Sequence, residues 1–177
     1  VPDEGAGRRA IWSWLFFDWA AQPFFTLVTT FVFAPYFASA VASTPAQGQA
    51  LGGYATAAAG LAIAVLAPVL GAIADRTGAR KPWILAFSLP FLAGAWMLDA
   101  AVPGGEYSLW IALCGFAMAT LGVEFATVFT NAMMPDLVPR RKLGRLSGSG
   151  WAVGYLGGLL SLVLVLGLMA ANPETGR

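Results

Sequence analysis

Residues Leu51–Lys81 read LGGYATAAAGLAIAVLAPVLGAIADRTGARK. The stretch Leu51–Ala74 carries no charged side chain, and Asp75, Arg76, Arg80 and Lys81 then follow within seven residues. A helix needs about 20 mainly apolar residues to cross a bilayer, so the run reads as one crossing and the charges mark where the chain leaves the lipid. Gly78 suits the tight turn that follows, Asp75 caps and neutralises, and the three basic residues hold the turn in the aqueous phase.

The rest of the chain repeats this pattern. Its 177 residues are 58% hydrophobic and only 11% charged, with a mean hydropathy of +0.71, whereas a soluble domain carries roughly 25% charged residues. A water-soluble globule would have to display much of that apolar inventory as one large patch. Apolar runs cover approximately 11–42, 51–74, 82–102, 107–134 and 146–171. They predict five transmembrane helices in an all-α, polytopic bundle, with residues 1–177 forming a single transmembrane domain. Polar breaks separate the runs at 43–50, 75–81 and 135–145, and Pro103-Gly104-Gly105-Glu106 marks the remaining turn.

Composition also excludes chemistry. With no histidine there is no Ser-His-Asp hydrolysis, no His-ligated zinc or haem and no Ser-His intramembrane proteolysis. A lone cysteine, Cys114, leaves no disulfide, redox pair or Cys-rich metal site. An intramembrane aspartyl protease would need a second membrane aspartate in a Gly-x-Gly-Asp setting, which the sequence lacks. No enzyme, cofactor or metal site is expected.

The basic residues are arranged by side. Arg8 and Arg9 precede the first segment, Arg76, Arg80 and Lys81 join the second and third, and Arg140, Arg141, Lys142 and Arg145 join the fourth and fifth. Only Arg177 falls on the opposite face, so the positive-inside rule predicts a cytoplasmic N-terminus in a bacterial inner (plasma) membrane. Topology thereby explains the basic clusters, and no nucleic-acid partner is expected. Trp12, Trp14, Trp83, Tyr107, Trp110 and Trp151 fall near segment ends, as in interfacial aromatic belts.

Two carboxylates break the apolar pattern. Asp18 lies seven residues into the first segment and Glu124 ten before the end of the fourth, roughly 10 and 15 Å from the cytoplasmic ends. At that depth a carboxylate costs at least about 2.5 kcal/mol on insertion scales, so each should face a water-filled cavity or a partner. Asp18, Gln22, Thr26 and Thr29 form one stripe by spacing, and Thr120, Glu124, Thr127 and Asn131 form another. For the threonines, hydrogen-bonded glue between helices is an equally good reading. Gly150, Gly154 and Gly158 recur every fourth residue, and Gly60, Ala64, Ala67 and Gly71 form a comparable strip, both suited to close helix packing. Pro23, Pro35, Pro68 and Pro90 should each free a carbonyl and kink its helix.

The loop Gly71-Ala-Ile-Ala-Asp75-Arg76-Thr-Gly78-Ala-Arg80-Lys81 resembles the signature between helices 2 and 3 of the major facilitator superfamily. Phe17-Asp18-Trp19-Ala20 and the run from Gly144 to Gly158 look like its "unknown major facilitator" branch, which is similar to the vacuolar amino-acid effluxers of autophagy. This chain departs from the branch at Ala21-Gln22-Pro23, where Asn-Ser is usual. The resemblance implies twelve helices in two six-helix halves, with helices 1 and 4 lining a central cavity and helix 3 peripheral. The chain would then be most of an N-terminal half, with the C-terminal half lying beyond Arg177.

The function this implies is secondary transport of small polar solutes, such as amino acids, by alternating access coupled to a proton or cation. Asp18 and Glu124 would be the coupling groups, with Gln22, Thr26, Thr127 and Asn131 touching substrate. Gly71, Asp75, Arg76, Gly78, Arg80 and Lys81 would form a conformational latch against the other half. The expected partners are the lipid bilayer, a small-molecule substrate, the coupling ion, and the C-terminal half or a surrogate membrane protein. The rival reading is a scaffold whose helices merely pack within a larger membrane complex.

Overall fold

A computed structural model describes residues 7–171, and every regular element among them is helical. The C-terminal tail expected on the far side, residues 172–177, lies outside the described residues. Five helical stretches are long and apolar enough to cross a membrane: Arg8–Val41, Pro45–Arg76, Arg80–Ala100, Ser108–Leu137 and Arg140–Ala171. We label their main helices α1 (Arg8–Pro23), α2 (Pro45–Thr77), α3 (Arg80–Met97), α4 (Ser108–Ala132) and α5 (Leu143–Ala171).

The polar breaks are shorter than composition suggested, because helix caps fall inside them. α2 begins at Pro45, not near Leu51, with Thr44 Oγ1 accepting from the Gln47 amide at 3.2 Å and proline at the first helical position. It ends on Gly78, whose φ of 66° is left-handed and whose N–H bonds the Ala74 carbonyl at 3.0 Å. The basic stretch after α4 is itself mostly helical, a turn at Met134–Leu137 and another at Arg140–Lys142 leading into α5.

Only two of the four prolines mark a change of helix type. Beyond Pro23 the first span becomes π-helical over Phe24–Phe31, and Pro35 sits in a single α-turn, Phe33–Tyr36, ahead of a second π stretch, Phe37–Val41. Pro23 offers no N–H to the Trp19 carbonyl four residues earlier, and the chain widens its turn after that lost bond. Pro68 and Pro90 lie inside α2 and α3 with no break in the helix.

The chain divides into two compact units. One consists of the residues up to Phe33 together with those from Met134 onward. Its core is Trp14, Leu15, Leu137 and Leu146, flanked by Ile11, Met134, Val138 and Val153. Trp14 is therefore a core residue and not part of an interfacial belt.

The other unit is Ala34–Met133. Here α3 and α4 approach at backbone distance: a Cβ on Gly94 would stand 2.6 Å from the Gly115 carbonyl oxygen, and one on Gly122 would stand 2.7 Å from that of Phe87. Toward α2, Trp83, Phe87, Phe125 and Phe129 stack with ring centroids 4.7–6.3 Å apart over the buried Ala74. Trp83 thus joins an internal aromatic cluster, whereas Trp12, Tyr107, Trp110 and Trp151 are exposed as an interfacial belt requires. At the far end of this unit the Tyr36 hydroxyl donates to the Ala101 carbonyl at 3.0 Å.

Candidate functional site

In the first unit the polar stripe of α1 lies along the glycine stripe of α5. A Cβ on Gly150 would meet the Trp14 ring at 2.7 and 2.8 Å and approach Asp18 Oδ2 at 3.7 Å. On Gly154 it would meet the Asp18 carboxylate, 2.8 Å from Oδ2 and 3.2 Å from Cγ, with Gln22 Oε1 at 3.6 Å. On Gly158 it would strike the Thr26 hydroxyl and stand 3.0 Å from Gln22 Cγ. Between these, Gly157 faces the Trp19 carbonyl oxygen, the acceptor that Pro23 cannot serve. Two stripes that the sequence suggests separately, one for chemistry and one for packing, are two sides of one seam.

Asp18, Gln22 and Thr26 are each half-buried there. Thr29 departs from the line. Its hydroxyl bonds the Phe25 carbonyl at 2.8 Å, and Thr30 does the same at 2.8 Å, so both serve their own π-helical backbone and not a neighbouring helix.

In the second unit Glu124 is half-buried on α4, Thr120 is buried and Asn131 is exposed at the helix end. Gly115 and Gly122 face α3; Glu124 is two residues past Gly122, so it projects from the opposite side of the helix. Thr120 and Thr127 share that side, and their Oγ1 atoms are buried without a hydrogen-bond partner among the described residues. Thr130, by contrast, donates to the Ala126 carbonyl at 2.8 Å. Buried hydroxyls normally find an acceptor, and unmade bonds of this kind cost about 1–3 kcal/mol each. Thr120 was legible as a stripe member but not as a candidate site residue: spacing separates it from Thr130, which bonds backward along its helix, but does not show which hydroxyl is left without an acceptor.

Neither Asp18 nor Glu124 has a hydrogen-bond or ion-pair partner among the described residues. The charged loop is different. Asp75 accepts from Arg80 Nη2 at 3.2 Å across the Gly78 turn, while Arg76 and Lys81 are exposed and a Cβ on Gly71 would meet nothing within 4 Å. Gly52, Gly53 and Gly60 are equally open, whereas Gly48 near the start of α2 packs against Ala38 and Ala42; Gly60 and Gly71 of the α2 strip, unlike Gly150, Gly154 and Gly158 of α5, therefore face open space. Among the described residues no group of histidine, cysteine and acidic side chains could hold a metal ion.

Over 167 residues the chain is 30% identical to the Bacillus subtilis (strain 168) protein named "Uncharacterized MFS-type transporter YxiO", a match covering 92% of this chain and 38% of that relative. The chain therefore spans well under half the length of the relative it matches. No solved structure matches it. The family model described as Major Facilitator Superfamily matches residues 6–162. With five helices fit to cross a bilayer and a family match over most of its length, the chain is an integral membrane protein that belongs to the major facilitator superfamily.

Proposed function

We propose that this chain is the N-terminal part of a secondary active transporter for small polar solutes, amino acids or similar metabolites, coupled to a proton or another cation. The observation that carries the reading is that two half-buried carboxylates, Asp18 and Glu124, are set within membrane-spanning helices and hold neither a hydrogen bond nor an ion pair among the described residues. An uncompensated charge at that depth is expensive, whereas a carboxylate that takes up a proton or cation during each cycle is compensated by its cargo. Gln22, Thr26, Thr127 and Asn131, within about one or two turns of an acid, would offer the solute hydrogen bonds. Thr120 joins them through its unmade bond.

The loop Gly71–Lys81 would act as the latch. Gly78 turns the chain, Asp75 and Arg80 close it with one ion pair, and Arg76 and Lys81 are left exposed to meet the other half. Alternating access then exchanges the cavity between the two faces of the membrane. The placement of the basic residues supports a cytoplasmic N-terminus in a bacterial plasma membrane. Within the superfamily, Phe17-Asp18-Trp19-Ala20 and the Gly144–Gly158 run favour kinship with the autophagy-type amino-acid effluxers.

The test is uptake by the full-length protein in sealed vesicles, with an amino-acid mixture and an imposed pH gradient. Saturable, gradient-dependent accumulation supports the proposal. A stoichiometric larger partner in the native complex, together with no uptake, would make the protein a scaffold instead.

A further inference from the structure

We infer that Gly154 of α5 is a positioning residue for Asp18: its missing side chain is the seat that holds the carboxylate in the seam between α1 and α5. The inference rests on the reading of Asp18 as a coupling or binding acid. The four glycines of the seam differ in what they face, and the difference predicts distinct outcomes. At Gly157 the obstacle to a methyl group is the Trp19 backbone carbonyl, which cannot rotate away, so a side chain there would force the helices apart. At Gly154 the obstacle is the end of the Asp18 side chain, 2.8 Å from the would-be Cβ against an ordinary contact of 3.4–4 Å. A carboxylate can yield by changing rotamer, so alanine at 154 displaces the acid and leaves the seam closed.

Glu124 has no such seat, because Gly122 turns toward Phe87 and Phe91 of α3. The two acids are therefore held differently. Glu124 is half-buried on its face of α4 with no glycine beneath it, while Asp18 is covered on one side by the α5 backbone at Gly154.

The experiment is carbodiimide labelling, which needs no knowledge of the solute. Dicyclohexylcarbodiimide adds to protonated carboxyls in apolar surroundings, and peptide mass spectrometry reads Asp18 and Glu124 separately. In the full-length protein, Gly154→Ala should raise Asp18 labelling several-fold and leave Glu124 labelling unchanged. Gly148→Ala and Gly167→Ala, on the same helix with nothing within 4 Å of their would-be Cβ atoms, should change neither. Labelling of Asp18 at the wild-type rate in Gly154→Ala, or an equal rise at Glu124 from a generally loosened fold, would overturn the inference. If Gly154→Ala is too unstable to purify, the double variant Asp18→Ala/Gly154→Ala decides. Removing the carboxylate vacates the space, so the double variant should be recovered in good yield, and its failure would assign Gly154 to plain packing. Labelling is independent of flux, so a protein that moves no solute would refute the transport reading and leave this one standing.

Discussion

Replacing Gly122 by alanine tests how closely α3 and α4 are built together. The new methyl would collide with the Phe91 amide nitrogen and lie 2.7 Å from the Phe87 carbonyl oxygen and 2.8 Å from Phe91 Cα. All three obstacles are main chain. Ordinary contact begins at 3.4 Å, so α3 must withdraw bodily by at least about 0.7 Å (3.4 − 2.7). That movement strains the Gly94–Gly115 approach and the stacking of Trp83 and Phe87 on Phe125 and Phe129. Overpacking of this kind costs about 1–3 kcal/mol, and a backbone obstacle places it at the upper end. Exchanging glycine for alanine inside a helix returns about 1 kcal/mol, which leaves a net loss of about 2 kcal/mol. The assay is reversible unfolding of the purified protein in mixed micelles, with Gly71→Ala as the control because nothing lies within 4 Å of its would-be Cβ. A Gly122→Ala protein as stable as Gly71→Ala would refute the packing argument.

Asp75→Asn removes the 3.2 Å pair with Arg80; because Asp75 is exposed, the stability lost should stay below about 1 kcal/mol. As a latch residue it should still shift the balance of inward and outward states, and identical cysteine-accessibility patterns in variant and wild type would reduce it to a topological bystander. Tyr36→Phe deletes the 3.0 Å bond to the Ala101 carbonyl and should cost about 0.5–1.5 kcal/mol in the same unfolding assay. Residues 1–177 alone, reconstituted with an amino-acid mixture and a pH gradient, should give no saturable flux; selective flux would place the whole transport pathway within these five helices.

The membrane-spanning architecture was legible because lipid imposes a strong compositional demand: apolar runs such as Leu51–Ala74 have few other uses. Helix ends were read less well. Thr44 and Pro45 begin α2 inside what composition marked as a loop, since capping is decided by one hydroxyl and one φ angle and not by hydropathy. The π-helical turns after Pro23 were invisible for a related reason: a proline inside an apolar run is compatible with a kink, an uninterrupted helix as at Pro68, or a widened turn.

The candidate site was half legible. Spacing alone grouped Asp18 with Gln22 and Thr26, and Gly150 with Gly154 and Gly158. That each polar residue sits on a glycine depends on which helices are neighbours, and periodicity within one helix says nothing of that. The matched spacing of four on both stripes was the available signal. For Trp14 and Trp83 no signal existed, because an aromatic near a helix end serves an interfacial belt and a core equally well.

The central claim, that the membrane carboxylates carry the coupling ion, is tested most directly by Glu124→Gln in the full-length protein. The amide keeps the shape and the hydrogen bonding of the acid but can neither gain nor lose the charge. In vesicles with an imposed pH gradient the variant should lose gradient-driven accumulation and retain downhill solute exchange. Undiminished uphill accumulation by Glu124→Gln, and by Asp18→Asn measured beside it, would contradict the account.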